Sequence, residues 1–352
     1  MEIRIHFADF APMEGIKRRI CAILEQKYRV ILDEANPQYL FYSVFGVEHI
    51  KYDCVRIFYT GENIVPDFNF CDYAIGFCHL DFGERYLRYP LYLFYEGDYE
   101  RAANKHKGIS HEILRQKHRF CNFIVSNGDA NPLRKEAFEA ISKYKKVDSA
   151  GRFLNNIGGA VSDKFAFQSE CKFSICFENS STDGYITEKL IQASAARTIP
   201  IYWGDKCATG KLDAELKTEL NTELKTKLKT ELKTGGGDLS NGGINKNAVL
   251  WVENNADLAR VVEEIKRLDN DDFAFIEKLR EPLFLDENHR EIFDGRLEAF
   301  LWNIFDKNPL NAFARSNSQI TQSREIIYKK SMKLYDLFLR IKQFVKRILG
   351  RI

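Results

Sequence analysis

The residues from Phe173 to Gly204 hold the densest run of side chains suited to chemistry in this chain. An apolar segment, Phe173–Phe177, ends in the polar pair Glu178-Asn179. A turn-prone stretch, Ser180–Gly184, then leads to Tyr185, Thr187, Glu188 and Lys189 at the start of a helical pattern, and a second apolar segment, Ile199–Trp203, closes on Gly204. A strand that ends where a helix begins is the usual place for an anionic ligand in an open α/β sheet, because the helix start presents unpaired N–H groups and the positive end of its dipole. There a lysine such as Lys189 neutralises phosphate, and a carboxylate such as Glu188 accepts from ribose or sugar hydroxyls. Neighbouring residues on a helix point about 100° apart, so these two reach one ligand only if it wraps the helix start. A solvated Glu-Lys pair at a helix start has the same spacing and no ligand at all.

Such groups need a scaffold, and the rest of the chain supplies its pattern. Short apolar runs at Ile3–Phe7, Val30–Leu32, Leu40–Val44, Val55–Tyr59, Tyr73–Gly76 and Phe123–Ser126 read as strands, and Met13–Gln26 as a helix with Ile16, Ile20, Ile23 and Leu24 on one face. The small polar stretch 148–159 reads as a hinge. A second series follows: a strand at Phe173–Phe177, a helix at Gly184–Ala196, strands at Ile199–Trp203 and Val249–Val252, and a helix at Asp257–Leu268. At 352 residues the chain has room for two such domains. The expectation is an α/β chain with one domain over 1–150 and another over 151–305, facing each other across a cleft, then a linker at 306–323 and a tail at 324–352.

The motifs themselves resemble a known family. Phe177-Glu178-Asn179-Ser180, Asp183-Gly184-Tyr185-Ile186-Thr187-Glu188-Lys189-Leu190 and Pro200-Ile201-Tyr202-Trp203-Gly204 are similar to the signature of the α-1,3-fucosyltransferases of glycosyltransferase family 10. The blocks Val55–Asn63, Asp72–Phe77 and Asp81–Leu91 resemble its bacterial branch. The resemblance implies a GT-B fold of two Rossmann-like domains, an N-terminal acceptor domain and a C-terminal domain that binds GDP-fucose. It implies transfer of L-fucose, with inversion, to the GlcNAc O3 of an N-acetyllactosamine-type glycan, as in Lewis-type antigens on lipopolysaccharide or a lipid-linked glycan. Inversion by a single displacement needs one general base, and the resemblance gives that role to Glu62, in the turn after the Val55–Tyr59 strand. Arg134 and Lys189 match the groups that hold the diphosphate as it gains charge. Asn179, Tyr185, Glu178 and Glu188 carry over as substrate contacts, Glu188 toward the ribose or the cationic sugar.

Other features bound this expectation. Glu62, Glu178 and Glu188 could instead serve a glycosidase, which also works with carboxylates, but phosphate-facing Arg and Lys favour a nucleotide sugar. A GT-B transferase for another nucleotide sugar and a membrane-docked glycan- or partner-binding protein are the remaining rivals. Asp269-Asn270-Asp271 has the form of a metal-binding Asp-x-Asp but lies between two helical patterns, so a helix cap is expected, with no metal and no obligatory cofactor. The eight cysteines include no Cys-x-x-Cys and read as buried, reduced thiols.

Leucine recurs every fourth residue from Leu212 to Leu232 within an insertion at 210–245, a period that spirals around a helix and forms no single seam. The tail carries nine basic and two acidic residues, and Ile327, Leu334, Phe338, Ile341, Val345 and Ile348 fall on one helical face. That pattern predicts a basic amphipathic helix on an anionic membrane surface. The formal charge of the whole chain is +2, which leaves the body net acidic and gives no reason to expect nucleic acid as a partner. The Met1–Ile5 start shows no apolar leader, so the expected location is cytoplasmic, peripheral on the inner face of the cytoplasmic membrane.

Overall fold

The computed structural model describes residues 1–10, 14–205, 243–316 and 318–349. The leucine tetrads of 212–232 and Cys207 lie outside the described residues. The chain gathers into two compact units, the first built from Met1–Gly76, Leu80–Tyr89 and Gly295–Ile352, the second from Phe77–His79 and Pro90–Asp294.

The first unit is a six-stranded, wholly parallel sheet: β1 (Glu2–Ala8), β2 (Arg29–Leu32), β3 (Tyr39–Tyr42), β4 (Val55–Tyr59), β5 (Tyr73–Gly76) and β6 (Tyr86–Arg88), in the order β2-β1-β3-β4-β5-β6. Helix α1 (Glu14–Glu25) sets Ile16, Ile20, Ile23 and Leu24 inward, as their spacing predicts. Each such buried aliphatic contributes about 1.5–3 kcal/mol. Every residue of β3 and β4 is buried, which is why neither strand alternates apolar with polar; Arg56 is the one charged residue among them.

The second unit is a five-stranded parallel sheet: β7 (Arg119–Phe123), β8 (Val147–Ser149), β9 (Cys171–Ile175), β10 (Ile199–Tyr202) and β11 (Leu250–Trp251), in the order β11-β10-β9-β7-β8. Around it lie α2 (Glu96–Ala103), α3 (Ile113–Gln116), α4 (Leu133–Ser142), α5 (Lys164–Ser169), α6 (Glu188–Ala195), α7 (Asp257–Asn270) and α8 (Asp272–Arg280). Phe123, Phe173, Phe177, Val261, Ile265 and Phe275 share its core. Helix α9 (His289–Phe305) begins in this unit and ends in the first, where Phe305 stacks beside Tyr39 at 4.2 Å. Helices α10 (Pro309–Ala312) and α11 (Gln319–Leu349) complete the first unit.

Three expectations change. The proposed hinge at 148–159 lies inside the second unit. There the Asn156 side chain donates to Val147 O at 2.8 Å and accepts from Ser149 N at 2.8 Å, so the loop is laced to edge strand β8. The linker expected at 306–323 is anchored to the first unit. Buried Asp72 accepts from Ala314 N at 2.7 Å and Arg315 N at 2.8 Å, and also from the Arg315 guanidinium. The tail helix starts at Gln319 and not at 324, and its first turns are part of the fold. Glu325 pairs at 2.6 Å with Arg56, a buried residue of β4, and the Tyr328 ring stacks on Phe70 at 4.9 Å. Farther along α11, Leu334, Leu337, Phe338, Ile341, Phe344 and Val345 are exposed.

The cysteines at 71, 78, 121, 171 and 176 are buried, and those at 21 and 54 half-buried, in line with the expectation of buried thiols. Asp271 caps α8 by accepting from Ala274 N at 3.0 Å, the helix-cap role read from its context. Asp269 pairs with Lys145 and Lys172 at 3.1 Å each.

Candidate functional site

In the second unit the chain leaves β9 still extended. Cys176 N donates to Ile201 O and Glu178 N to Trp203 O, both at 2.9 Å, which carries Glu178 and Asn179 beyond the carboxyl end of the sheet. The turn that follows depends on Gly184. Its φ is +86°, and a Cβ there would come within 2.4 Å of Phe77 O. Its N–H donates to Asp205 Oδ1 at 2.7 Å. Glycine alone meets that backbone and that contact without strain. The helix expected from Gly184 therefore starts four residues later, at Glu188, where Thr187 caps it by accepting from Lys189 N. Tyr185 belongs to the turn. It is buried, its ring lies edge-on to Phe77 at 4.9 Å, and its carbonyl accepts from the Tyr202 hydroxyl at 3.2 Å.

Two clusters form on this frame. Arg134, on the first turn of α4, is 2 % exposed. Its Nη2 donates to Phe177 O at 2.8 Å and to Asn179 Oδ1 at 2.7 Å, while its buried Nε has no hydrogen-bond partner among the described residues. Burial pulls the guanidinium below its ordinary pKa, with Glu178 and Tyr185 opposing, and arginine stays charged throughout. The second cluster centres on Glu178, which is fully buried. Its carboxylate accepts from Thr187 N at 2.8 Å, Thr187 Oγ1 at 2.7 and 2.9 Å, Lys189 Nζ at 3.0 Å and the Tyr202 hydroxyl at 3.3 Å. Lys189 Nζ also lies 3.6 Å from Glu188. Burial would lower the Lys189 pKa, but Glu178, then Glu188, outweigh it and hold the ammonium above its ordinary value.

The structure thus brings Arg134 to Asn179, and Lys189 to Glu178 and Glu188, all at the carboxyl end of β9 and the amino end of α6. Arg134, Lys189 and the positive end of the α6 dipole lie there together, an arrangement that suits an oxyanion. Glu178, expected as a substrate contact, is instead sealed off among protein donors. Thr187 and Tyr202 were not singled out as site residues. The signal for Thr187 was its place as a capping residue directly before Glu-Lys, and Tyr202, inside an apolar strand, gave none.

Glu62 lies in the first unit, three residues past β4, on an exposed turn at the carboxyl end of that strand. Its N–H donates to Thr60 Oγ1 at 2.9 Å, and Thr60 is buried, so the turn is pinned while Glu62 faces outward. Carboxyl ends of parallel strands are where open α/β sheets place ligand-binding groups.

Comparison with known proteins agrees with these motifs. Residues 5–95 match the N-terminal domain of the α-(1,3)-fucosyltransferase FucT family, and residues 114–212 match the C-terminal domain of glycosyltransferase family 10 (fucosyltransferase). The chain is 35% identical over 224 residues to the α-(1,3)-fucosyltransferase FucT of Helicobacter pylori, covering 52% of this chain and 45% of that protein. It is 33% identical over 90 residues to the 4-galactosyl-N-acetylglucosaminide 3-α-L-fucosyltransferase 9 of Mus musculus, covering 25% of this chain and 24% of that one. The chain spans less than half the length of either relative.

Among solved structures, an α1,3-fucosyltransferase crystallised with GDP-fucose is 26% identical, with 90% of this chain and 93% of that chain covered at a TM-score of 0.61. One crystallised with GDP is 25% identical with the same coverage and a TM-score of 0.63. With matching models on both units and a shared fold over nine-tenths of its length, the chain belongs to the family 10 fucosyltransferases and has their GT-B fold.

Proposed function

We propose that this chain is an inverting α-1,3-fucosyltransferase that moves L-fucose from GDP-fucose to O3 of the GlcNAc in N-acetyllactosamine-type glycans. The observation that carries the reading is the pair of clusters at the amino end of α6, Arg134 with Asn179 and Lys189 with Glu178, which offers a preformed cationic seat for a diphosphate. A relative crystallised with GDP-fucose and another named for action on 4-galactosyl-N-acetylglucosaminide support the choice of donor and acceptor. In this reading the second unit binds the donor and the first unit the acceptor.

The chemistry follows from the change in charge. As the glycosidic bond of GDP-fucose breaks, the leaving diphosphate gains negative charge, and Arg134 and Lys189 stabilise it in place without reorganising. The sugar gains positive charge, which the carboxylate of Glu188 offsets. Glu62 takes the proton of the acceptor hydroxyl, so the oxygen attacks as it becomes basic. Side-chain cations supply here what a metal supplies elsewhere, and Tyr185 and Asn179 shape the seat.

The exposed part of α11, apolar on one face and basic on the other, is proposed to lie on the anionic inner surface of the cytoplasmic membrane, near lipid-linked or lipopolysaccharide acceptors. Among the described residues no helix is long and apolar enough to cross a membrane.

The deciding assay incubates the purified chain with GDP-fucose and N-acetyllactosamine and follows GDP release and fucosylated product. Parallel reactions contain GDP-mannose and UDP-galactose. Turnover with GDP-fucose alone is expected. Turnover only with another donor would replace the donor assignment, and glycan binding without turnover of any donor would point to a binding protein.

A further inference from the structure

Glu178 is fully buried, and its two carboxylate oxygens accept from Thr187, Lys189 and Tyr202. A carboxylate in that state neither receives a sugar hydroxyl nor serves as a base. Yet placing it there carries a desolvation cost of several kcal/mol, and the fold makes specific room for it. A Cβ on Gly204 would meet Glu178 Cγ at 2.5 Å and the Tyr202 hydroxyl at 2.4 Å, so the glycine that closes the second apolar strand leaves the space the carboxylate occupies.

We propose that Glu178 is the positioning residue of the donor site: its carboxylate aims Lys189, and through Thr187 it fixes the amino end of α6, so that a diphosphate meets a cation already in place. The proposal rests on the nucleotide-sugar reading given above. Three contacts divide the work. The Lys189 bond at 3.0 Å directs the ammonium, and Thr187 Oγ1, 3.0 Å from the same nitrogen, limits its swing. The Thr187 N–H and hydroxyl bonds lock the capping residue, hence the direction in which the first N–H groups of α6 point. The Tyr202 hydroxyl, whose pKa is pushed well above its ordinary value first by burial and then by Glu178, remains protonated and donates.

Electrostatics follow the same geometry. Lys189 is faced by Glu178 and the Cys176 thiol at the end of β9, by Glu188 on its own helix, by Arg134 on α4 and by Lys164 on α5. The two other cations oppose its charge, burial opposes it further, and Glu178 is the largest group in its favour. Removing that charge leaves burial and two cations against Glu188 alone. The Lys189 pKa then falls, and a lysine that loses its proton at mildly alkaline pH no longer attracts phosphate.

The test compares wild type, Glu178→Gln and Glu178→Asp. In ligand-free protein, the Lys189 titration is followed by NMR of ε-13C-labelled lysine, with Lys189→Arg to assign the signal. Wild type is expected to titrate above the ordinary lysine range, and Glu178→Gln below wild type. GDP affinity, measured by calorimetry, is expected to be flat with pH in wild type. In Glu178→Gln it should weaken about tenfold per pH unit once above the lowered pKa. Glu178→Asp keeps the charge but draws it back, and should give a smaller shift of the same sign; it carries the test alone if the glutamine variant does not fold.

A Lys189 titration unmoved by both substitutions overturns the proposal, whatever happens to activity. A shifted titration in a protein that does not bind GDP even as wild type supports the positioning role and removes the nucleotide-sugar reading.

Discussion

At the scale of single residues, two glutamates in similar sequence settings take opposite parts. Glu62 and Glu178 both follow an apolar strand and both sit where a parallel sheet delivers ligand-binding groups. Glu62 is exposed on a turn held by Thr60, free to meet a hydroxyl; Glu178 is enclosed and committed to its neighbours. If Glu62 is the base, Glu62→Gln should retain folding and GDP-fucose affinity while kcat falls by about 10²–10⁴. Single-turnover kinetics beside calorimetric donor binding would check this, and a variant of wild-type kcat would remove Glu62 from the role. Sequence chemistry went furthest at this scale. A carboxylate, an arginine and a lysine were identifiable from their motifs, and the structure pairs Arg134 with Asn179 and Lys189 with Glu188. What it could not give was burial. Whether a carboxylate accepts from substrate or from a capping threonine depends on residues far along the chain, here Tyr202 and Gly204, which close over Glu178.

At the scale of elements, the loop between β9 and α6 is set by one backbone torsion. Gly184 combines a φ of +86° with a carbonyl 2.4 Å from any added Cβ. Gly184→Ala should therefore cost about 1–3 kcal/mol of stability, seen as a lower melting temperature, and weaken GDP binding as the turn shifts away from α6. An unchanged melting temperature and affinity would show that the turn relaxes freely. The strands at Val55–Tyr59 and Tyr73–Gly76 were readable residue for residue, because strands buried on both faces are predominantly apolar, Arg56 being the exception. Strand β7 starts four residues earlier than its apolar pattern suggests. Arg119 can open the strand because it pairs at its edge with Glu170 and Asp148. Helix α6 starts late for the converse reason: a helical periodicity does not reveal a left-handed glycine ahead of it.

At the scale of the molecule, composition suggested two α/β domains joined near residue 150, while the observed units exchange segments of chain. Periodicity identifies elements but not which sheet each one covers, so the anchoring of 314–328 by Asp72 and Arg56 was hidden in sequence. This fixes where the tail divides. Removing residues 334–352 should leave the melting temperature and turnover of a soluble acceptor unchanged while releasing the protein from vesicles rich in anionic lipid, as a sedimentation assay would show. Vesicle binding that survives the deletion would end the membrane assignment. Removing everything from residue 313 takes Arg315 from Asp72 and Glu325 from Arg56, and should destabilise the first unit by about 3–5 kcal/mol.

The same interleaving orders events on the ribosome. All of the second unit has been translated by Asp294, but the first unit's sheet still lacks the end of α9, Arg315 and the start of α11. Strands β1 to β6 therefore wait for residues far along the chain, so synthesis delivers every segment of the second unit before it delivers the last segments of the first. A nascent chain stalled just after Asp294 carries all of the second unit and an incomplete first unit, and that unfinished sheet is the surface a chaperone would meet.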